Sequence, residues 1–308
     1  MIINELVQFF SIKFNASLRE FIKFYPKKRL KQLVRQIKYI EIEKDNKVAI
    51  AMFCGSKELY EGIASLLSFY YFSDIKYPLY WFDDGTLSKN QIKIIYSKFT
   101  NATVISHHEG DKDVVDWLKA NSLNSLLNIR KNLIFGRRLT DINFFLHEKH
   151  VLLLDSDVLF LNYPEVLLTG LADVAKGFSP KWLYNIDVRE SYCTSTENIK
   201  ASTGIDIIRD FNTGLFFFES SRQNLFQMEK INQSGLLVDH IYYWEQTLFA
   251  LLTTLHSGIP LPEDYDVHYR YAQKTDPKYL NAKSRHYCSD SRISFYYDFE
   301  NYLLPKHE

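Results

Sequence analysis

Short, wholly apolar runs alternate along this chain with longer stretches whose apolar residues recur at helical spacing. Residues 47–53, a lysine followed by Val-Ala-Ile-Ala-Met-Phe, predict a first strand. Cys54-Gly55-Ser56 then turns into a helix over about Glu58–Phe72. Pro78–Phe82 predicts a second strand, closed by the turn signal Asp83-Asp84-Gly85. A helix over Ser88–Phe99, a short strand over Ala102–Ser106 and a helix-rich stretch over Asp113–Leu146 follow. Val151–Leu154, four apolar residues in a row, reads as a buried strand. Strands alternating with helices predict α/β layering around a mostly parallel sheet flanked by helices.

The second half is less regular. Ala172–Phe178 predicts a strand, and the polar stretch 181–210 predicts an irregular, substrate-facing excursion. Asn212-Thr213-Gly214 reads as a turn feeding the apolar run Leu215–Phe218. Asn224–Asn232 and Tyr243–Leu255 read as helices, and the tail from Pro260 has no long periodic element. No repeat or low-complexity tract interrupts the chain. The expected organisation is a basic helical extension over residues 1–46 and one catalytic domain over 47–308.

The candidate chemistry sits where the Val151–Leu154 strand ends. Asp155 and Asp157 stand one residue apart there, and apolar Val158–Leu161 follows. In open α/β sheets ligands bind beyond the carboxyl ends of the strands. Two acids so close repel unless a hard cation joins them, and Mg²⁺ or Mn²⁺ with a diphosphate completes such a site. A second chemistry uses the same local pattern: in phosphatases of the haloacid dehalogenase type the first acid attacks phosphate.

Charge narrows the partners. The net charge is zero, which argues against a general nucleic-acid binder. Residues 1–47 hold 11 Lys/Arg against 5 Asp/Glu, and the rest of the chain carries the balancing negative charge. Apolar Phe21, Ile22, Phe24, Leu30, Leu33, Val34 and Ile37 flank Lys27-Lys28-Arg29-Leu30-Lys31 at roughly helical spacing. Two readings follow: a basic amphipathic segment within residues 1–40 touching an anionic membrane, or a helix packed on the domain with its charges in water. The second is favoured. No apolar run approaches the ~18 residues of a spanning helix, and no signal-peptide pattern opens the chain. Cys54, Cys193 and Cys288 are odd in number and widely spaced, as expected for free thiols of a reducing, cytoplasmic compartment.

Further residues fall into order around the acidic pair. Arg138 lies seventeen positions before Asp155, and Phe211-Asn212-Thr213-Gly214 follows it. Glu245-Gln246 opens a helix, Leu261-Pro262 comes next, and His286-Tyr287 approaches the C-terminus with Arg292 six positions after the histidine. In this order the chain resembles the retaining nucleotide-sugar glycosyltransferases of the GT-A fold, closest in motif order to glycosyltransferase family 8. That family shows Asp-X-Asp after an apolar strand, then Phe-Asn-X-Gly, Asp-Gln, Leu-Pro, and His-Tyr/Phe-X-Gly with a lysine six residues after the histidine. Here Glu245 replaces the Asp, Ser289 the last Gly and Arg292 the Lys.

The resemblance implies a hexosyltransferase using a UDP-sugar and Mn²⁺ or Mg²⁺, with a glycan, lipid-linked glycan or protein as acceptor, in polysaccharide biosynthesis. It implies Asp155, Asp157 and His286 as metal ligands, with Ser156 between the acids. Arg292 would meet the departing phosphates, and Arg138 would orient the acids or touch the sugar. Asn212 would offer its amide to sugar hydroxyls, with Gly214 allowing close approach. Gln246 would lie beneath the reacting sugar, and Glu245 would contact its hydroxyls. Cys54, Gly55 and Ser56 would line the base pocket, and Asp83 or Asp84 would contact base or ribose. His107, His108 and His268 are competing metal-site candidates. The rival readings are the phosphatase, with Asp155 as nucleophile, and a nucleotide-sugar-binding subunit without turnover. The phosphatase would want a downstream Gly-Asp loop, and no Gly-Asp follows residue 157.

Overall fold

A computed structural model describes residues 26–178, 181–269 and 281–303. Residues 26–36 form helix α1. Then come β1 (Ile40–Glu41), β2 (Val48–Phe53), α2 (Leu59–Phe72), β3 (Leu79–Phe82), α3 (Lys89–Lys98), β4 (Phe99–Thr100) and β5 (Thr103–Ile105). Three helices follow, α4 (His107–Ala120), α5 (Asn124–Asn132) and α6 (Ile134–Phe145), then β6 (Lys149–Leu154), β7 (Val158–Phe160), α7 (Glu165–Ala175), β8 (Leu183–Ile186) and α8 (Thr196–Thr203). The rest comprises β9 (Phe211–Ser220), α9 (Arg222–Gln233), α10 (Trp244–Leu255), β10 (Ile259–Pro260), β11 (Tyr265–His268), β12 (Ser284–Tyr287) and α11 (Arg292–Asp298).

Seven strands build one sheet in the order β10-β8-β9-β6-β2-β3-β5. Its neighbours are parallel except β9, which runs antiparallel to both β6 and β8. The sheet is covered on both faces, which is why β2 and β6 are apolar almost throughout. Val48, Ile50 and Met52 of β2 face a core shared with α1, α2 and α7, whereas Ala49 and Ala51 face a second core with α4, α5, α6, α9 and α10. A smaller sheet, β11-β12-β7, stands beside the end of β6. Local signals set the helix starts. Ser88 with Gln91, and Ser106 with Glu109, form capping boxes at α3 and α4.

Three expectations are corrected. The stretch read as a strand at Ala172–Phe178 is mostly the end of helix α7, because Leu167, Leu171 and Val174 bury one helical face. Asn212-Thr213-Gly214 is not a turn but part of β9. The stretch 181–210 contains β8 and α8.

Leu30, Leu33, Val34 and Ile37 are buried in the same core as β2. The apolar side of α1 is therefore spent on the domain, leaving residues 26–37 no apolar face for a bilayer. Phe21, Ile22 and Phe24 lie outside the described residues. Among the described residues no helix is long and apolar enough to cross a membrane. The three cysteines are free.

Candidate active site

Backbone hydrogen bonds fix the acidic pair before any ligand does. The Asp155 N–H donates to the Gly214 carbonyl at 2.9 Å, and the Ser65 hydroxyl donates to the Asp155 carbonyl at 3.0 Å. The Tyr287 N–H donates to the Asp157 carbonyl at 2.8 Å. These bonds tie the end of β6 to β9, α2 and β12 at once.

His286 reaches the pair from β12, where it is in register with Val158 of β7. Its Nε2 lies 3.1 Å from Asp157 Oδ1 and 3.8 Å from Asp155 Oδ2. Its Nδ1 lies 2.9 Å from Asn212 Oδ1, which already accepts the Gly214 N–H at 2.9 Å. That oxygen can only accept, so Nδ1 carries a proton and Nε2 is turned to the acids. Gly214 makes the approach possible: a Cβ there would stand 2.3 Å from the imidazole ring.

The charges are strongly coupled. Burial opposes ionisation of Asp157, but His286 and Arg292 outweigh it and hold the carboxyl well below the usual range. Burial likewise opposes a charged His286, and its neighbours Cys288 and Asp157 raise its pKa well above the ordinary value. Arg292 donates to Asp157 Oδ2 at 2.6 Å, and that carboxylate is the main reason its pKa is raised. One ligand atom each from Asp155, Asp157 and His286 lies within 4.8 Å of the others. Two carboxylates and an imidazole with its far nitrogen already committed suit a divalent cation such as Mn²⁺.

Arg138 of α6 also reaches the acidic pair. It lies 2.8 Å from Asp155, donates to the Thr213 carbonyl at 2.9 Å and stands 3.3 Å from Glu245. Burial pushes Glu245 up to about 7, with Arg138 pulling against it. Gln246 donates to the Ser191 carbonyl at 2.8 Å, while its Oε1 accepts from Thr213 N–H and Oγ1 at 3.5 and 3.4 Å.

These groups share a cavity of about 750 Å³. Ser156, Asn212, Arg292, Cys54, Gly55 and Asp84 line it too. Gly55 lets the Asp84 carboxylate close on the backbone, since a Cβ would meet it at 2.1 Å. Three residues selected from sequence do not line the cavity. Gly214 backs His286, and the Ser56 N–H donates to the Thr86 hydroxyl oxygen at 2.8 Å. Asp83 is occupied locally, its Oδ1 accepting the N–H groups of Gly85, Thr86 and Leu87. Among the described residues the competing histidines join no metal-type cluster. His107 pairs with Asp111 at 3.2 Å and His268 with Asp266 at 3.4 Å.

Sequence reasoning missed Asp187, Arg189 and Tyr269, which line the same cavity beyond β9. It also missed Phe135 and Tyr242, whose rings meet edge to face at 5.2 Å. Asp187 follows β8 as Asp155 follows β6, but β8 itself was not legible as a strand.

The architecture is that of the GT-A glycosyltransferases. Among solved structures, the bifunctional glycosyltransferase WbbM in its apo form superposes with a TM-score of 0.52 at 14% identity, over 86% of this chain and 52% of its own. The galactosyltransferase LgtC, in complex with donor and acceptor sugar analogues, gives 0.51 at 18% identity, over 83% of this chain and 96% of its own. The chain thus spans about half the length of WbbM and nearly all of LgtC. No protein-family model matches it, and no curated protein matches it in sequence.

Proposed function

We propose that the protein is a metal-dependent glycosyltransferase. It moves a hexose from a UDP-sugar to a hydroxyl of a glycan, lipid-linked glycan or protein, with retention at the anomeric carbon. The carrying observation is the convergence of Asp155, Asp157 and His286 in one cavity with Arg138, Glu245 and Gln246, in a GT-A fold. The phosphatase reading has no support from that fold. The three free thiols support a reducing, cytoplasmic setting.

Asp155, Asp157 and His286 would hold Mn²⁺ or Mg²⁺, which when bound supplies Lewis-acid stabilisation of the leaving diphosphate. The protein's own groups do the rest. Arg292, beside Asp157, offers guanidinium N–H groups to the departing phosphates. Arg138 keeps Asp155 oriented and balances its charge. The Cys54–Gly55 and Asp84 wall takes the nucleoside. Gln246 presents a neutral amide to the reacting sugar, so the acceptor proton passes to the leaving phosphate rather than to a carboxylate opposite it. LgtC has also been solved as an active-site mutant with glutamate in place of glutamine, which is in keeping with this role.

Incubation with a panel of UDP-sugars tests the reading. UDP release with Mn²⁺, abolished by EDTA and in Asp155→Ala, is the expected result. Phosphate release from simple esters, or donor binding with no turnover in any mixture, rejects it.

A further inference from the structure

Among the described residues, every cation lining the cavity except one has a carboxylate beside it. Arg138 is held by Asp155 and Glu245, Arg292 by Asp157, and His286 by Asp157. Arg189 has no carboxylate partner among the described residues. It is exposed to solvent, and its guanidinium carbon lies 3.8 Å from the centroid of the Tyr269 ring. A cation on a ring face keeps its edge N–H groups for another acceptor.

The support beneath it is built. The Tyr269 hydroxyl donates to Asp187, a carboxylate that is 1% exposed. Asp187 also accepts the Asn212 amide at 3.3 Å and the Arg189 backbone N–H at 2.9 Å. One buried acid therefore fixes both the ring and the loop that carries Arg189. Three donors already engage Asp187, so it is satisfied from within the protein.

The topology says which substrate meets Arg189. Cys54 and Asp84 follow β2 and β3, on one side of β6. Arg189 follows β8, two strands away on the other side. At about 4.8 Å per strand, the end of β8 stands roughly 10 Å from the acidic pair. A diphosphate bound at Asp155 and Asp157 with its nucleoside toward β2 leaves Arg189 to the other substrate.

We infer that the acceptor carries an oxyanion, a carboxylate or a phosphate ester, and that Arg189 reads it. This rests on the transferase reading, which assigns the β2–β3 side to the donor. The exposed Ile134 and the Phe135–Tyr242 pair give the same cavity an apolar wall for the saccharide body. Planar oxyanions suit a guanidinium fork, and a charge-assisted contact outweighs a neutral one.

The test is saturation-transfer NMR and titration on the full chain saturated with UDP and Mn²⁺, which blocks the donor side. The probes are methyl glucuronide, glucose 6-phosphate and neutral methyl glucoside. One of the two anionic saccharides should bind on the order of tenfold tighter than methyl glucoside. Arg189→Gln should erase that preference. Which anionic probe wins identifies the group. No preference in the unsubstituted protein, no binding of any probe, or a preference that survives in Arg189→Gln overturns the inference. Failure of UDP to bind with Mn²⁺ instead brings down the transferase reading itself.

Discussion

Arg138 Nε lies 3.3 Å from Glu245 Oε1, and neither atom makes a hydrogen bond among the described residues. The contact is an attraction between buried charges without aligned donors, so it does not fully offset the burial of Glu245. Its pKa is therefore pushed from 4.5 up to about 7. The folded value lies above the unfolded one. The group's contribution to stability is thus complete below about pH 4.5 and is lost as the pH rises to about 7. Glu245→Gln should flatten that decline, by on the order of 2–3 kcal/mol. Denaturant titrations of both proteins at about pH 5 and pH 8 measure it, and equal slopes would show Glu245 titrating as an ordinary carboxyl.

Gly214→Ala should cost metal affinity rather than the fold. The new methyl would stand 2.3 Å from the His286 ring, so the imidazole must leave its place between Asn212 and Asp157. Loss of a positioned ligand shell typically weakens metal binding about 10–100-fold. Calorimetric titration of Mn²⁺ into the UDP-loaded protein reads the effect, with the melting temperature as a check on folding. Unchanged Mn²⁺ affinity would remove His286 from the proposed metal site.

Stereochemistry checks the role of Gln246. With a neutral amide beneath the sugar, a UDP-α-sugar should give an α-linked product. Gln246→Ala should lower kcat more than it raises KM, because the amide acts mainly as charge separates in the transition state. The anomeric proton coupling in the product NMR spectrum decides. A β linkage would make Glu245 the candidate base and reject retention.

Helix α1 should prove part of the domain and not a removable extension. Leu33 is 2% exposed in the core shared with β2. Leu33→Ala should cost about 2–5 kcal/mol, as large-to-small core changes do. Lys28→Ala, on the exposed side of the same helix, should cost less than about 0.5 kcal/mol. Denaturant midpoints of the two variants compare them, and equal, small losses would mean that α1 adds little.

Much of the fold could be read from sequence because a sheet covered on both faces writes itself as apolar runs. Val151–Leu154 is the clearest case, and the acids after it marked the site. The α7 stretch misled because Leu171-Ala172-Asp173-Val174 is locally as strand-like as helical. The deciding positions are Leu167, Leu171 and Val174, which pack against the sheet only once it exists. Strand β8 was hidden for a different reason. Its ladder with β9 shifts register between Tyr184 and Asn185, and Asn185 is a polar residue buried in a strand. Missing β8 meant missing Asp187 at its end, and with it Arg189. The Arg189–Tyr269 contact joins positions eighty residues apart and has no local pattern. Asp83 shows the converse: its place after a strand suggested a ligand contact, yet the turn itself takes up one carboxylate oxygen.

Strand β9 gives the site something a fully parallel sheet could not. A parallel strand brings only its last residues to the edge where its neighbours end. Because β9 enters there instead, Asn212 and Gly214 are its opening residues, and Glu219 and Ser220 are carried to the far edge beside Lys149. The carboxamide that steadies His286 is thus supplied by the direction of one strand and not by an added loop. Reversing that direction with the same side chains would leave Asp155 beside Ser220. The chemistry of this cavity is therefore encoded in chain polarity as much as in residue identity.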